Sequence, residues 1–282
     1  MNKILVFGAN GQLGQCLQQI AGERNISLII PEKEISDIRN MSALSSLFER
    51  IKPEKVINAA AYTAVDQAEE EIDTCRAINR DGAANLATLC KEHNSILIHV
   101  STDFVFGGDQ VSLLKEEEVT NPIGVYGLTK LEGELAIQEI WEKHFILRTS
   151  WLYSEYGNNF VKTMLRLGRE RKELNIIADQ IGSPTYAMDL AGMIFEILAS
   201  GNSAYGVYHM SNEGAISWYD FAKGIFDLKE MDVKVNPIPT TAYPTKARRP
   251  PFSVMDKTKI KQTFQQTIPY WRDSLKVCLT KL

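Results

Sequence analysis

Lys3-Ile4-Leu5-Val6-Phe7-Gly8-Ala9-Asn10-Gly11-Gln12-Leu13-Gly14 runs a short apolar strand straight into a glycine-rich turn, and a helical pattern then continues from Gln12 to about Ala21. A buried strand that feeds a helix through such a turn is the context a dinucleotide-binding loop requires. The glycines permit the tight turn and let the backbone approach a pyrophosphate, whose charge sits at the helix N-terminus. Gly8, Gly11 and Gly14 fall three apart, a G-x-x-G-x-x-G spacing that departs from the ordinary G-x-G-x-x-G fingerprint. A plain strand-to-helix turn is the competing reading.

Outward from this turn the chain alternates. A second strand is expected at Ile26 to Ile30, a helix from Met41 to Ile51 stopped at Lys52-Pro53, and a third strand at Lys55 to Asn58. Ala59-Ala60-Ala61-Tyr62-Thr63-Ala64-Val65-Asp66 follows, with small residues that leave room for a ligand against the backbone. A helix from Asp73 to Lys91, a strand from Ser95 to Val100, a helix carrying Tyr126 and Lys130, and a strand from Phe145 to Leu147 complete the series. This alternation predicts an α/β fold, a doubly wound parallel sheet of Rossmann type spanning residues 1–149. From about residue 150 to 282 the pattern loosens into a smaller mixed α/β lobe, with a crossing back to the first at about 184–210. The acid expected after the second strand falls in Pro31-Glu32-Lys33-Glu34, with Asp37 and Arg39 beyond. Acids there suit NADH and the cations suit NADPH, so either coenzyme fits.

Open parallel sheets bind ligands outside the carboxyl ends of their strands, which places Ser101-Thr102-Asp103 in the same crevice as Gly8 and Ala61. Tyr126 and Lys130, four apart, share one helical face. A neighbouring ammonium favours phenolate, so the pair is a candidate proton donor whose phenol is expected to have a lowered pKa. A solvated helix face is its simpler reading. His93, His99, His144 and His209 are isolated in sequence and read as structural. No residues have metal-ligand spacing. The four cysteines, Cys16, Cys75, Cys90 and Cys278, form no CxxC pair and read as free thiols in a cytoplasmic protein. A net charge of -4 provides no broad field for nucleic acid, and no segment is long enough to span a membrane.

Taken together, these motifs resemble the extended short-chain dehydrogenase/reductases. Within them, Ala60 to Asp66, Ser101-Thr102-Asp103-Phe104-Val105-Phe106, Arg148-Thr149-Ser150-Trp151-Leu152-Tyr153, Asp179 to Thr185 and Arg249-Pro250 with Ser253 resemble the dTDP-4-dehydrorhamnose reductase family. The resemblance covers nearly the whole chain. It implies that Gly8, Asn10, Gly11, Gln12, Leu13 and Gly14 surround the pyrophosphate of NADPH or NADH, with Asp37 and Ile38 at the adenosine. Ala60, Ala61, Tyr62 and Thr63 would pack along the cofactor. Thr102, Tyr126 and Lys130 would be catalytic, while Asp103, Trp151 and Arg249 would bind a dTDP-linked 4-keto-6-deoxysugar. The implied activity is reduction of that sugar's C4 keto group, the last step of dTDP-rhamnose biosynthesis for surface polysaccharide. Some members form dimers bridged by a divalent metal between carboxylates. Gln15, Cys16, Leu17 and Gln18 offer no acid for that, so a monomer or weak homodimer is expected. Two alternatives stay open: a reductase or epimerase of another nucleotide 4-keto sugar, and a non-catalytic subunit resembling the regulatory subunit of methionine adenosyltransferase.

Overall fold

Four consecutive apolar residues make β1 (Ile4–Phe7), and all four are buried, as a strand covered on both faces requires. In the computed structural model, which describes residues 3–32, 35–108 and 110–282, β1 pairs in parallel with β2 (Leu28–Ile29) and β3 (Lys55–Asn58). Lys33 and Glu34 of the acid-bearing segment lie outside the described residues. β4 (Ile96–Thr102), β5 (His144–Thr149) and β6 (Gly206–His209) extend the sheet from β3, each parallel to its neighbour. The order is thus β2-β1-β3-β4-β5-β6, the expected doubly wound sheet. Chain direction across the sheet reverses between β1 and β3, where such sheets open a crevice. β2 is shorter than its expected five residues. It is an edge strand, and Ile30 beyond it is 41% exposed before a proline that can donate no ladder bond.

The period-two alternation of β1 divides the core. Val6 faces a layer in which helix Gln12–Glu23 packs on helix Ala187–Ser200 through Leu13, Leu17, Leu190 and Ile194. Leu5 and Phe7 face the opposite layer, where helices Met41–Ile51, Gly82–Glu92 and Val125–Ile140 bury Leu44, Phe48, Leu86 and Ile137. Residues 187–209 therefore return a helix and a strand to the first sheet. A separate core of Val161, Leu165, Phe221, Ile225, Trp271 and Leu275 belongs to the later part of the chain. All four cysteines are buried and unpaired, as expected. Among the described residues no helix is long and apolar enough to cross a membrane.

The helix expected over 73–91 is interrupted: Ile72–Arg76 and Gly82–Glu92 flank a π-helical turn at Ala77–Asp81. That turn carries Asn79, which is buried. Its Oδ1 accepts from Tyr62 N at 2.9 Å, and its Nδ2 donates to Tyr62 O at 3.2 Å and Thr129 Oγ1 at 3.2 Å. One side chain so clamps the segment after β3 to the helix bearing Tyr126; π turns recur at functional sites for this kind of reason. Glycines set how closely that helix approaches. A Cβ on Gly127 would stand 2.1 Å from Phe104 O, and one on Gly133 would stand 2.2 Å from Asn79 O.

Two alanine substitutions should consequently act with opposite sign. Gly133→Ala forces the helix off the π turn and is expected to lower stability by about 1–3 kcal/mol. Gly22→Ala, where a Cβ meets nothing within 4 Å, should raise it by about 0.5 kcal/mol. Denaturant midpoints measured side by side check this, and equal midpoints would contradict it.

Candidate active site

Gly8 takes φ +80°, and a Cβ there would lie 2.4 Å from Ala59 C; one on Gly14 would lie 2.3 Å from Gly8 O. The loop is therefore folded tightly on itself and against the end of β3, which only glycine allows at these two places. At Gly11 the nearest atom to such a Cβ is Gly8 O at 3.4 Å, so this third glycine keeps room at the loop's mouth. No side chain caps helix Gln12–Glu23. Its first-turn N–H groups are left for an anion, at the positive end of the helix dipole. Two adjoining cavities share Gly11, Ala59 and Ala61 in their walls. The smaller, about 320 Å³, is walled by Gly8, Asp37, Ile38, Arg39 and Ala60. Asn10 borders a recess beside it, with Ile30 and Ser36. The Arg39 guanidinium holds the Asp37 carboxylate at 2.7 Å and 2.9 Å and keeps its pKa below the usual carboxylate value. This glycine cradle, uncapped helix end and adjoining pair of cavities fit a dinucleotide.

The larger cavity, about 550 Å³, brings Gln12, Leu13 and Thr63 together with Thr102, Asp103, Tyr126, Lys130 and Trp151. Thr102 ends β4. Its hydroxyl donates to Asp103 Oδ1 at 3.1 Å and accepts from Phe104 N at 3.2 Å. Asp103 is buried, with Oδ2 lacking any hydrogen-bond partner, and burial pushes its carboxyl up to about 6 despite the lowering influence of the neighbouring Ser253 and Thr102 hydroxyls. Tyr126 departs from expectation. Burial pushes its phenol up to about 12, outweighing the lowering influence of the neighbouring Thr102 hydroxyl. Lys130 does not lower it, because the Lys130 amine is turned away, donating to Val100 O at 2.6 Å and lying 3.1 Å from His99 Nε2. Burial also brings Lys130 down to about 8. The phenol therefore stays protonated at neutral pH, the state in which it can donate.

Trp151 sits with φ +46°, a strained backbone for a bulky residue, and stacks on Trp218 with centroids 3.6 Å apart. Gly182 makes room for it, since a Cβ there would come within 2.7 Å of the indole. Three expected site residues, Gly14, Tyr62 and Arg249, do not line the cavities. Tyr62 donates its hydroxyl to Glu71 at 3.0 Å, and Arg249 is held by Asp66 at 2.7 Å and by Ala247 O at 2.8 Å. In this structure Arg249 fastens the 245–249 segment to the turn after β3. Gly14 serves packing, as described above.

The RmlD substrate binding domain family matches residues 1–282. This chain belongs to that family. It is 43% identical to a dTDP-4-dehydrorhamnose reductase of Aggregatibacter actinomycetemcomitans over 98% of each chain. A spore coat polysaccharide biosynthesis protein of Bacillus subtilis, SpsK, is 35% identical over 98% of this chain and 96% of its own. The crystal structure of dTDP-4-dehydrorhamnose reductase from Bacillus anthracis, in complex with NADP, superposes with a TM-score of 0.96 at 41% identity, covering 100% of this chain and 99% of the other.

In this member of the RmlD substrate binding domain family, three site features escape sequence reading. Asn58 and His99 lie behind Lys130. Ser101 donates to Glu134, which is paired with Arg148 at 2.7 Å in full burial. Gln12 Oε1 accepts from Ser154 Oγ at 3.1 Å and Asn159 Nδ2 at 2.8 Å, tying the glycine turn to the later part of the chain. The period-two rule carried a signal for the first two, since it puts His99 and Ser101 on one face of β4, the face turned to the Tyr126 helix.

Asp103 should cost stability. Below about pH 4 its carboxyl is protonated in folded and unfolded chains alike, whereas above about 6 the folded protein must hold a buried charge. Asp103→Asn is expected to raise the melting temperature at pH 7.5 and to change it little at pH 4. Thermal scans at the two values check this; an equal shift at both would remove the charge as the cause.

Proposed function

We propose that this protein reduces the C4 keto group of dTDP-4-dehydro-L-rhamnose to give dTDP-L-rhamnose, using NADPH or NADH. The observation that carries the reading is one cavity that holds the mouth of the glycine turn together with Thr102, Tyr126, Lys130 and Trp151. The bound dihydronicotinamide supplies the hydride. Gly8, Asn10, Gly11, Gln12 and Leu13 hold the pyrophosphate against the uncapped helix end. Asp37, Ile38 and Ala60 wall the adenosine end, and Ala61 and Thr63 flank the cofactor's length. Arg39, about half exposed at that end and paired with Asp37, offers a cation to a 2'-phosphate by turning from that carboxylate, and so favours NADPH.

Negative charge builds on the sugar's O4 as the carbonyl is reduced. The Thr102 hydroxyl hydrogen-bonds that oxygen, and Tyr126 gives it a proton from a phenol already held in the protonated form. Lys130 orients the nicotinamide ribose. The unpartnered Asp103 Oδ2 accepts a sugar hydroxyl, and the Trp151 indole supplies an apolar wall for the deoxysugar. Residues 1–149, with the helix and strand returned at 187–209, form the dinucleotide-binding unit, and the rest of 150–282 forms most of the sugar-nucleotide lobe. The enzyme works in the cytoplasm, and its product is destined for surface polysaccharide.

Tyr126→Phe should bind NADPH as the parent does and lose turnover by about 10²–10⁴. The assay follows NADPH absorbance with dTDP-4-dehydro-L-rhamnose, alongside UDP- and GDP-linked keto sugars. Oxidation with neither the thymidine compound nor the others would sink the reductase reading, and wild-type turnover in Tyr126→Phe would sink the proton donor. Arg39→Ala is expected to raise KM for NADPH about tenfold, a loss of about 1.4 kcal/mol, and to leave KM for NADH nearly unchanged.

A further inference from the structure

A row of three buried side chains runs away from the cavity behind Tyr126: Lys130, His99 and Asn58 are each within 1% of complete burial. The positions of their hydrogens are over-determined. Asn58 Oδ1 accepts from Ala60 N at 3.1 Å, which fixes the amide and leaves its NH2 group facing His99 Nδ1 at 3.0 Å. A ring nitrogen that accepts carries no hydrogen, so a neutral His99 must bear its hydrogen on Nε2. Burial holds His99 neutral. The Nε2–H then points at Lys130 Nζ, 3.1 Å away, while Nζ donates to Val100 O at 2.6 Å. An ammonium has no lone pair to receive that hydrogen, whereas an amine has one. Charging Lys130 in place would set donor against donor at one end of the row or the other, a cost that burial makes severe.

We propose that Asn58 and His99 are positioning residues that hold Lys130 as an uncharged amine against the Val100 carbonyl, so that the lysine gains its proton on leaving His99. The other groups facing Lys130 do not undo this. Glu134, on the same helix, favours the charged form, but its carboxylate is engaged by Arg148 from β5 and Ser101 from β4. Cys75, from the short helix before the π turn, is a buried thiol whose own ionisation burial opposes. Tyr126 remains a phenol, as shown above. Movement of Lys130 toward a bound ribose breaks its contact with His99, frees Nε2–H, and couples occupancy of the cavity to uptake of one proton from solvent. The inference rests on the reading of Lys130 as an active-site residue, although the state of the row can be read without turnover.

Nitrogen-resolved NMR of the imidazoles and carbon-resolved NMR of the lysine side chains in the cofactor-free full chain decide the matter. His99 is expected to show a bare Nδ1 and a protonated Nε2 at neutral pH. Lys130 is expected to titrate below neutral pH, because burial brings it to about 8 and the donor-against-donor cost of the row lowers it further. Asn58→Asp keeps the acceptor for Ala60 N and replaces the donor facing Nδ1 with an acceptor. It should move the hydrogen to Nδ1 and raise the Lys130 titration by about one pH unit or more. The alkaline limb of the kcat/KM profile should rise with it. Hydrogen on Nδ1 in the wild-type protein, or a Lys130 titration unmoved in Asn58→Asp, would overturn the proposal. Were Asn58→Asp to fail to fold, the wild-type tautomer alone would decide. A bare Nδ1 with no keto-sugar reduction would leave the row intact and remove the reductase reading instead.

Discussion

The carboxyl ends of β1 and β3 must stay apart enough to admit a ligand and close enough to remain one sheet. Gly8 is where both demands meet. Its left-handed backbone turns the chain out of β1 within one residue, and its missing side chain lets the turn rest on Ala59. Every other part of the site is measured from that contact. Ala61 and Thr63 follow from the end of β3, Thr102 from the end of β4, and the helix of Tyr126 packs on the turn that Thr102 begins. A bulkier turn would move all of these outward together, because interiors packed at crystal-like density pass displacement on.

Much of this was legible in the residues. Strand, glycine turn and helix at the start, and small or hydroxyl residues at later strand ends, suffice for the parallel sheet and for the members of the crevice. What stayed hidden has physical causes. The π turn cannot be seen in apolar periodicity, since one extra residue leaves the pattern on both sides intact; it is the partnership of Asn79 with Tyr62 that reveals it. The acidity expected of Tyr126 depends on a charged neighbour four residues away. Spacing gives the face a side chain occupies but not the direction in which a long flexible one ends, and Lys130 ends at β4. His99, isolated in sequence, gains meaning only through Asn58, 41 positions earlier.

The later part of the chain was least legible and is joined to the first by polar contacts that no spacing announces. Gln12 does double service: it belongs to the turn that faces the cofactor site, and its carbonyl oxygen is the acceptor for Ser154 and Asn159. Trp151 is fixed from behind by Trp218 and from beside by Gly182, three positions that approach only after the chain has folded. Arg249 shows the same. Here Asp66 holds its guanidinium, so the residue straps the 245–249 segment to the turn after β3, a contact no spacing announces.

The buried pair of Glu134 and Arg148 has its own significance for the helix that carries Tyr126. Lys130 and Glu134 follow Tyr126 at intervals of four, so all three lie along one stripe. An apolar stripe of similar residues would tolerate sliding or turning by one position at small cost. A carboxylate with a single guanidinium within reach does not, because any other setting would bury it alone, at a cost of about 3–5 kcal/mol. The ion pair thereby works as an index mark, selecting among the ways the helix could seat itself the one azimuth that aims the phenol into the crevice.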